Sequence, residues 1–186
     1  MEADRHESRG TGLIRPPLKI ILETERLILR EVVAADANFM QELVNDPNWI
    51  TYIGQRNVFS LADATEFIRT RFEETYRSKG IGLWLVEQKS TGVSIGICGL
   101  VDRPALDDID LGYAFLPRFR SSGFAFEAAQ ACLTFGREKL QLTRIVAITS
   151  PENKPSCSLL EKLGFHAEGL MTLPDEQDAL QLFALE

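Results

Sequence analysis

The sequence predicts a mixed α/β fold in which one central, mostly antiparallel sheet carries helices on both faces. Three observations lead there. Two segments of helical period follow an early strand, three strand-period runs then succeed one another across short turns, and the last third alternates helix, strand and helix before two closing strands. The 186 residues are enough for one ordinary core, and 45% hydrophobic against 25% charged residues is the balance of a soluble globular chain. Residues 1–17 mix Arg, Glu, Ser, Gly and a Pro pair without periodicity and are expected to form a flexible extension. Residues 18–186 read as a single domain with no linker and no repeat.

Residues 26–33 alternate around Leu27 and Leu29 and read as the first strand. Asp36 is positioned to cap a helix whose Phe39, Met40, Leu43 and Val44 share one face and which stops before Pro47. Ser60 with Asp63 resembles a capping box in which aspartate stands for the usual glutamate. The helix behind it lines up Ala64, Phe67, Ile68, Phe72 and Tyr76 and ends at Lys79-Gly80. Strands follow at residues 83–88, 94–101 and 109–116, with turns at Ser90-Thr91-Gly92 and at Asp107-Asp108. A buried helix over 123–139, a strand over 144–149 and a helix over 153–163 come next. Pro155 fits the first turn of that last helix and Gly164 its end. Two strands, 165–170 and 179–185, complete the order.

Charge and composition narrow the function. A formal net charge of -7 argues against a nucleic-acid partner, because phosphate contacts need an excess of Lys and Arg. Three scattered cysteines and two histidines offer no metal spacing, so no metal is expected. No apolar run approaches a membrane span, and residues 1–12 lack the apolar centre of a secretory signal. A cytoplasmic protein without membrane partners, monomer or homodimer, is the expectation.

One turn carries chemistry. Arg120-Ser121-Ser122-Gly123-Phe124-Ala125 lies between a strand and a helix, where the first N–H groups of the helix are unpaired at the positive end of its dipole. A pyrophosphate can accept those donors if side chains leave room. Gly123 permits close approach, Ser121 and Ser122 crowd little, Arg120 brings positive charge, and Ala125 lets the helix lie on the sheet. The sequence has neither a P-loop nor a three-glycine dinucleotide fingerprint here. A small-residue loop that merely opens a helix is the competing reading.

Taken with its surroundings, this turn resembles the GNAT superfamily of N-acetyltransferases. The signature is Arg or Gln, two residues, Gly, one residue, then Gly or Ala, and Arg120, Gly123 and Ala125 match it. Further segments resemble the branch of ribosomal-protein serine and alanine N-acetyltransferases. They are residues 22–30 (LETERLILR), Asp110-Leu111-Gly112-Tyr113, residues 124–128, Asn153-Lys154-Pro155-Ser156 and residues 161–165. They keep the family's order over nearly everything after Leu18.

The resemblance implies a twisted sheet with a splayed central strand pair, and acetyl-CoA as cosubstrate. Main-chain groups near Ala114, Phe115 and Leu116 would pair with the pantetheine amides. Residues 120–125 would hold the pyrophosphate, Asn153 would reach the pantetheine arm, and Ser156 would face the thioester. The implied reaction is direct attack by a primary amine, of a protein N-terminus or a small metabolite, in a ternary complex. It needs proton removal, an oxyanion donor and an acid for the thiolate.

A backbone N–H near Tyr113 or Ala114 is the expected oxyanion donor. Asp110 and Asp108 are candidates for the base, or else solubilise a turn and a strand edge. The tyrosine common after the asparagine is replaced by Leu160, which leaves Ser156 as acid or as an ordinary helix-start hydroxyl. Cys157 reads as core rather than nucleophile, and His166 as a strand start. Trp49, Tyr52 and Phe59 line an acceptor groove or pack the core. A CoA-binding sensor without turnover is the alternative function.

Overall fold

The computed structural model describes residues 18–174 and 178–186, so the extension expected over residues 1–17 lies outside the described residues. Eight strands form one sheet in the order β1-β2-β3-β4-β5-β6-β8-β7. β1 (Ile20–Glu23), β2 (Leu27–Arg30), β3 (Leu83–Gln88), β4 (Val93–Val101) and β5 (Asp110–Phe115) make an antiparallel half. β6 (Ile145–Thr149), β8 (Leu180–Leu185) and β7 (His166–Met171) make a second one.

The halves meet where β5 runs parallel to β6, and there a single position pairs, Asp110 with Val146. By contrast β4 and β5 pair continuously from Gly96–Phe115 to Val101–Asp110. Beyond that bridge β5 and β6 diverge, which is the splay implied by the resemblance.

Period-two alternation divides the core between the two faces. On one face α5 (Phe124–Glu138) contributes Ala128, Cys132 and Leu133, and α6 (Lys154–Lys162) contributes Leu160, against Leu29, Trp84, Val86 and Ile95. On the other face, α1 (Ala37–Val44), α2 (Pro47–Tyr52) and α3 (Leu61–Ile68) bring Met40, Leu43, Trp49 and Ile68 against Leu85, Ile97 and Leu116. α3 continues through a π-turn, Arg69–Glu73, into α4 (Glu74–Lys79), and Gly80 closes it at φ 72°. The Ser60–Asp63 capping box forms as expected, with Asp63 N–H on Ser60 Oγ at 3.1 Å and Ser60 N–H on Asp63 Oδ2 at 2.8 Å.

Three expectations need correction. β1 and α2 are elements that periodicity did not reveal. The first long strand stops at Arg30 rather than residue 33. Asp36 sits at the start of α1 but its carboxylate does not cap the helix. It accepts both Nη groups of Arg30 at 2.9 Å and the Val33 N–H at 2.9 Å, closing a 3-10 turn over Ala34–Asp36 instead. Among the described residues, no helix is long and apolar enough to cross a membrane.

Candidate active site

The turn between β5 and α5 has the backbone of an anion cradle. Ser121 (φ 60°) and Gly123 (φ 79°) are both left-handed, and Gly123 is the N-cap of α5 with no side-chain cap. The first helical bond runs from Glu127 N–H to the Gly123 carbonyl at 3.0 Å, so the N–H groups of Gly123, Phe124, Ala125 and Phe126 lie ahead of the ladder. A Cβ on Gly123 would be strained by the positive φ and would come within 3.3 Å of Arg26 Nη2.

Arg120 does not face this cradle with a free guanidinium. Its Nη2 lies 2.7 Å from Asp46 Oδ1 and its Nε donates to the Phe115 carbonyl at 2.8 Å. Asp46 is itself buried and caps α2 through the N–H groups of Asn48 and Trp49. Arg120 therefore ties the turn to the opposite layer.

Ladder alternation decides which main-chain groups of β5 are open. Leu116 N–H donates to the Ile95 carbonyl at 3.0 Å, so Ala114 and Gly112 also turn their amides to β4. Tyr113 and Phe115 turn theirs to the splay. The expected run of Ala114, Phe115 and Leu116 is thus shifted: Ala114 and Leu116 are already paired, the Phe115 carbonyl is held by Arg120, and the open groups are both of Tyr113 and the N–H of Phe115.

Tyr113 and Ser156 come together. The Tyr113 hydroxyl lies 2.8 Å from Ser156 Oγ and 3.3 Å from the Ser156 carbonyl. Burial pushes the Tyr113 phenol well up, against the opposing pull of the Ser156 hydrogen bond, so it stays protonated. Asn153 caps α6, its Oδ1 accepting from Ser156 N–H at 3.3 Å, and this fixes the serine at the helix start.

Asp110 is not part of that pair. Three residues from Tyr113, it projects from the other face of the strand, is 1% exposed, and is bonded to Arg103. Burial raises its carboxyl despite Arg103, and its Oδ1 has no partner among the described residues. Asp108 lies in the loop before β5 and pairs with Arg144 at 2.9 Å. Cys157 keeps its thiol above the ordinary value through burial, with the Ser150 carbonyl 3.9 Å from Sγ. Trp49 is buried on α2, whereas Phe59 is 70% exposed.

The family model for the acetyltransferase (GNAT) domain matches residues 26–166, well over half of the chain. The chain belongs to the GNAT acetyltransferase family. It is an acyltransferase of the N-acetyltransferase class. Among its relatives is the uncharacterized N-acetyltransferase YoaA of Bacillus subtilis (strain 168), 33% identical over 154 residues, 81% of this chain and 85% of that one. The [Ribosomal protein uS5]-alanine N-acetyltransferase of Escherichia coli (strain K12) is 37% identical over 59 residues, 32% of this chain and 30% of that one. A solved GNAT-family acetyltransferase from Bacillus anthracis superposes with a TM-score of 0.72 at 26% identity, over 88% of this chain and 96% of that one.

Two further residues of this GNAT chain touch the cradle and were not expected there. Arg26 reaches across from the β1–β2 turn, donating through Nη1 to the Ser122 carbonyl at 3.1 Å, with its guanidinium 4.6 Å over the Phe124 ring. Glu127 holds it through Nε at 2.5 Å and also accepts from Arg26 N–H at 2.9 Å and Thr24 Oγ1 at 2.6 Å. Burial pushes the Glu127 carboxyl up, but these donors outweigh it and the net shift is downward. Both residues stand in segments that carry the family resemblance. Their pairing across 101 positions has no signal in a single sequence.

Proposed function

We propose that this chain transfers an acetyl group from acetyl-CoA to a primary amine, of a protein N-terminus or a small amine metabolite, by direct attack in a ternary complex. The observation that carries it is the Tyr113–Ser156 hydroxyl pair at 2.8 Å, beside the unpaired edge of β5. Acetyl-CoA fits the residues present. An unpaired strand edge accepts an extended amide chain, and the left-handed cradle at 121–123 offers N–H donors to a diphosphate. The cosubstrate supplies an activated acetyl thioester.

In this reading the carbonyl of Tyr113 and the N–H of Phe115 align the pantetheine arm, and Asn153 contributes its amide N–H groups. Residues 121–125 bind the diphosphate through the main chain, while Arg120 keeps their shape through Asp46. Ser156 passes its hydroxyl proton to the departing thiolate as its oxygen takes the phenol proton of Tyr113, and solvent returns a proton to the phenol afterwards. The open N–H of Tyr113 is the oxyanion donor, since the Ala114 N–H is turned to β4. Asp110 stands on the other face, so the amine attacks in its neutral form and the tetrahedral adduct's ammonium gives its proton to water as the amide forms. Relatives that modify ribosomal proteins support a protein N-terminus as one acceptor class.

Thermal unfolding with acetyl-CoA, CoA, ATP and NAD tests the donor. At about a hundredfold excess over Kd, native-state binding adds roughly 2.7 kcal/mol, and about 5–10 °C for a chain of this size. A rise with acetyl-CoA and CoA alone is expected, and no rise would sink the site. Thiol release with peptides bearing N-terminal Ser or Ala, set against small amines, then identifies the acceptor class.

A further inference from the structure

The arginine of the signature is consumed inside the fold, since Arg120 is bound to Asp46 and to the Phe115 carbonyl. The positive charge at the cradle comes from elsewhere. Arg26 projects from the turn between β1 and β2, at one end of the sheet order, onto the start of α5, and its three nitrogens have distinct positions. Nε is held by Glu127, Nη1 by the Ser122 carbonyl, and Nη2 has no partner among the described residues while lying 3.3 Å from the Cβ position of Gly123. The side chain is 44% exposed, so an anion can reach it. Stacking on Phe124 and the ion pair with Glu127 fix the fork in advance, which lowers the ordering cost of binding.

We infer that Arg26 is a diphosphate ligand of the CoA thioester, oriented by Glu127, and that Arg120 is a positioning residue for the same turn. This rests on the proposed acetyl-CoA site. A planar guanidinium with one free edge beside a row of main-chain N–H donors matches the two-sided demand of a diphosphate. Glu127 is the positioning residue for Arg26, because it also binds the Thr24 hydroxyl and the Arg26 N–H and so sets the β1–β2 turn against α5.

Calorimetric titration of wild type, Arg26→Ala and Arg26→Lys with CoA, dephospho-CoA and pantetheine decides it. Arg26→Ala is expected to weaken CoA and dephospho-CoA alike by about tenfold, with Arg26→Lys recovering only part of the loss and pantetheine binding unchanged. An equal loss for pantetheine would make Arg26 a structural brace only. A loss confined to CoA would move the contact to the 3′-phosphate, and no loss at all would remove Arg26 from the site. Each of these overturns the assignment. Arg26→Lys keeps the test open if the alanine variant does not fold. Failure of the wild type to bind CoA would instead overturn the underlying reading, and is told apart by that single titration.

Discussion

The phenol of Tyr113 is the hydroxyl that meets Ser156 Oγ, at 2.8 Å. Leu160, on α6 itself, is 1% exposed and packs in the core. Tyr113→Phe is expected to lower kcat about ten- to a hundredfold with the acetyl-CoA KM nearly unchanged, as removal of a proton donor should. Ser156→Ala should cost as much or more, and the double variant no more than the worse single one, because the two hydroxyls act as a unit. Since burial raises the Tyr113 phenol, its proton is retained below pH 10 and its loss does not set the alkaline limb. The kcat–pH profile of Tyr113→Phe should then keep the wild-type shape at lower height, and a wild-type kcat would remove Tyr113 from the chemistry. The place of Ser156 in the first turn of α6 was legible in the sequence. The phenol was not, because the strand pattern points Tyr113 to a face but cannot say which helix meets it.

At the scale of elements, the short strand Leu27–Arg30 matters through two arginines, Arg26 just before it and Arg30 at its end. Arg26 braces the cradle, while Arg30 is 6% exposed and gives a bidentate contact to Asp36 and a 2.8 Å contact to Glu87 on β3. This ion group ends β2 and turns the chain into α1. Asp36→Ala leaves a buried guanidinium with one partner fewer and should cost about 3 kcal/mol, read as a fall of roughly 6–12 °C in Tm. A fall below about 2 °C would show that Glu87 alone suffices.

Helices with a long apolar stripe were legible, as α5 shows with its match to within a residue at each end. β1 was not, because it is an edge strand with Ile20 half exposed and no clean alternation. Nor was α2, whose six residues are too few for a period and whose Pro47 reads as a stop where it is in fact N1 after the Asp46 cap. The strand-to-helix turn with Gly123 at its end was legible, but the left-handed φ of Ser121 was not, since a serine carries no signal for it. The partners of Arg120 were not, since Asp46 lies 74 positions away.

Over the whole molecule the sheet is two antiparallel halves joined at one bridge, with Val146 N–H on the Ile109 carbonyl at 2.9 Å. No local pattern encodes that divergence, because β5 and β6 are joined through a single long-range pair, Asp110 with Val146. The divergence leaves strand-edge amides unpaired in the middle of a sheet, where water or a ligand must satisfy them. A ligand that threads this gap and also caps α5 would therefore slow exchange at two separate sets of amides. Residue-resolved hydrogen exchange with saturating CoA should protect Tyr113 and Phe115 together with Gly123, Phe124, Ala125 and Phe126. Ala114 and Gly112 should change little, since their amides are already paired with β4. Protection at the start of α5 without any at Tyr113 and Phe115 would mean that the turn holds the nucleotide while the pantetheine lies outside the gap. The Tyr113–Ser156 pair would then be remote from the thioester, and the proton relay assigned to it would fall with the threading.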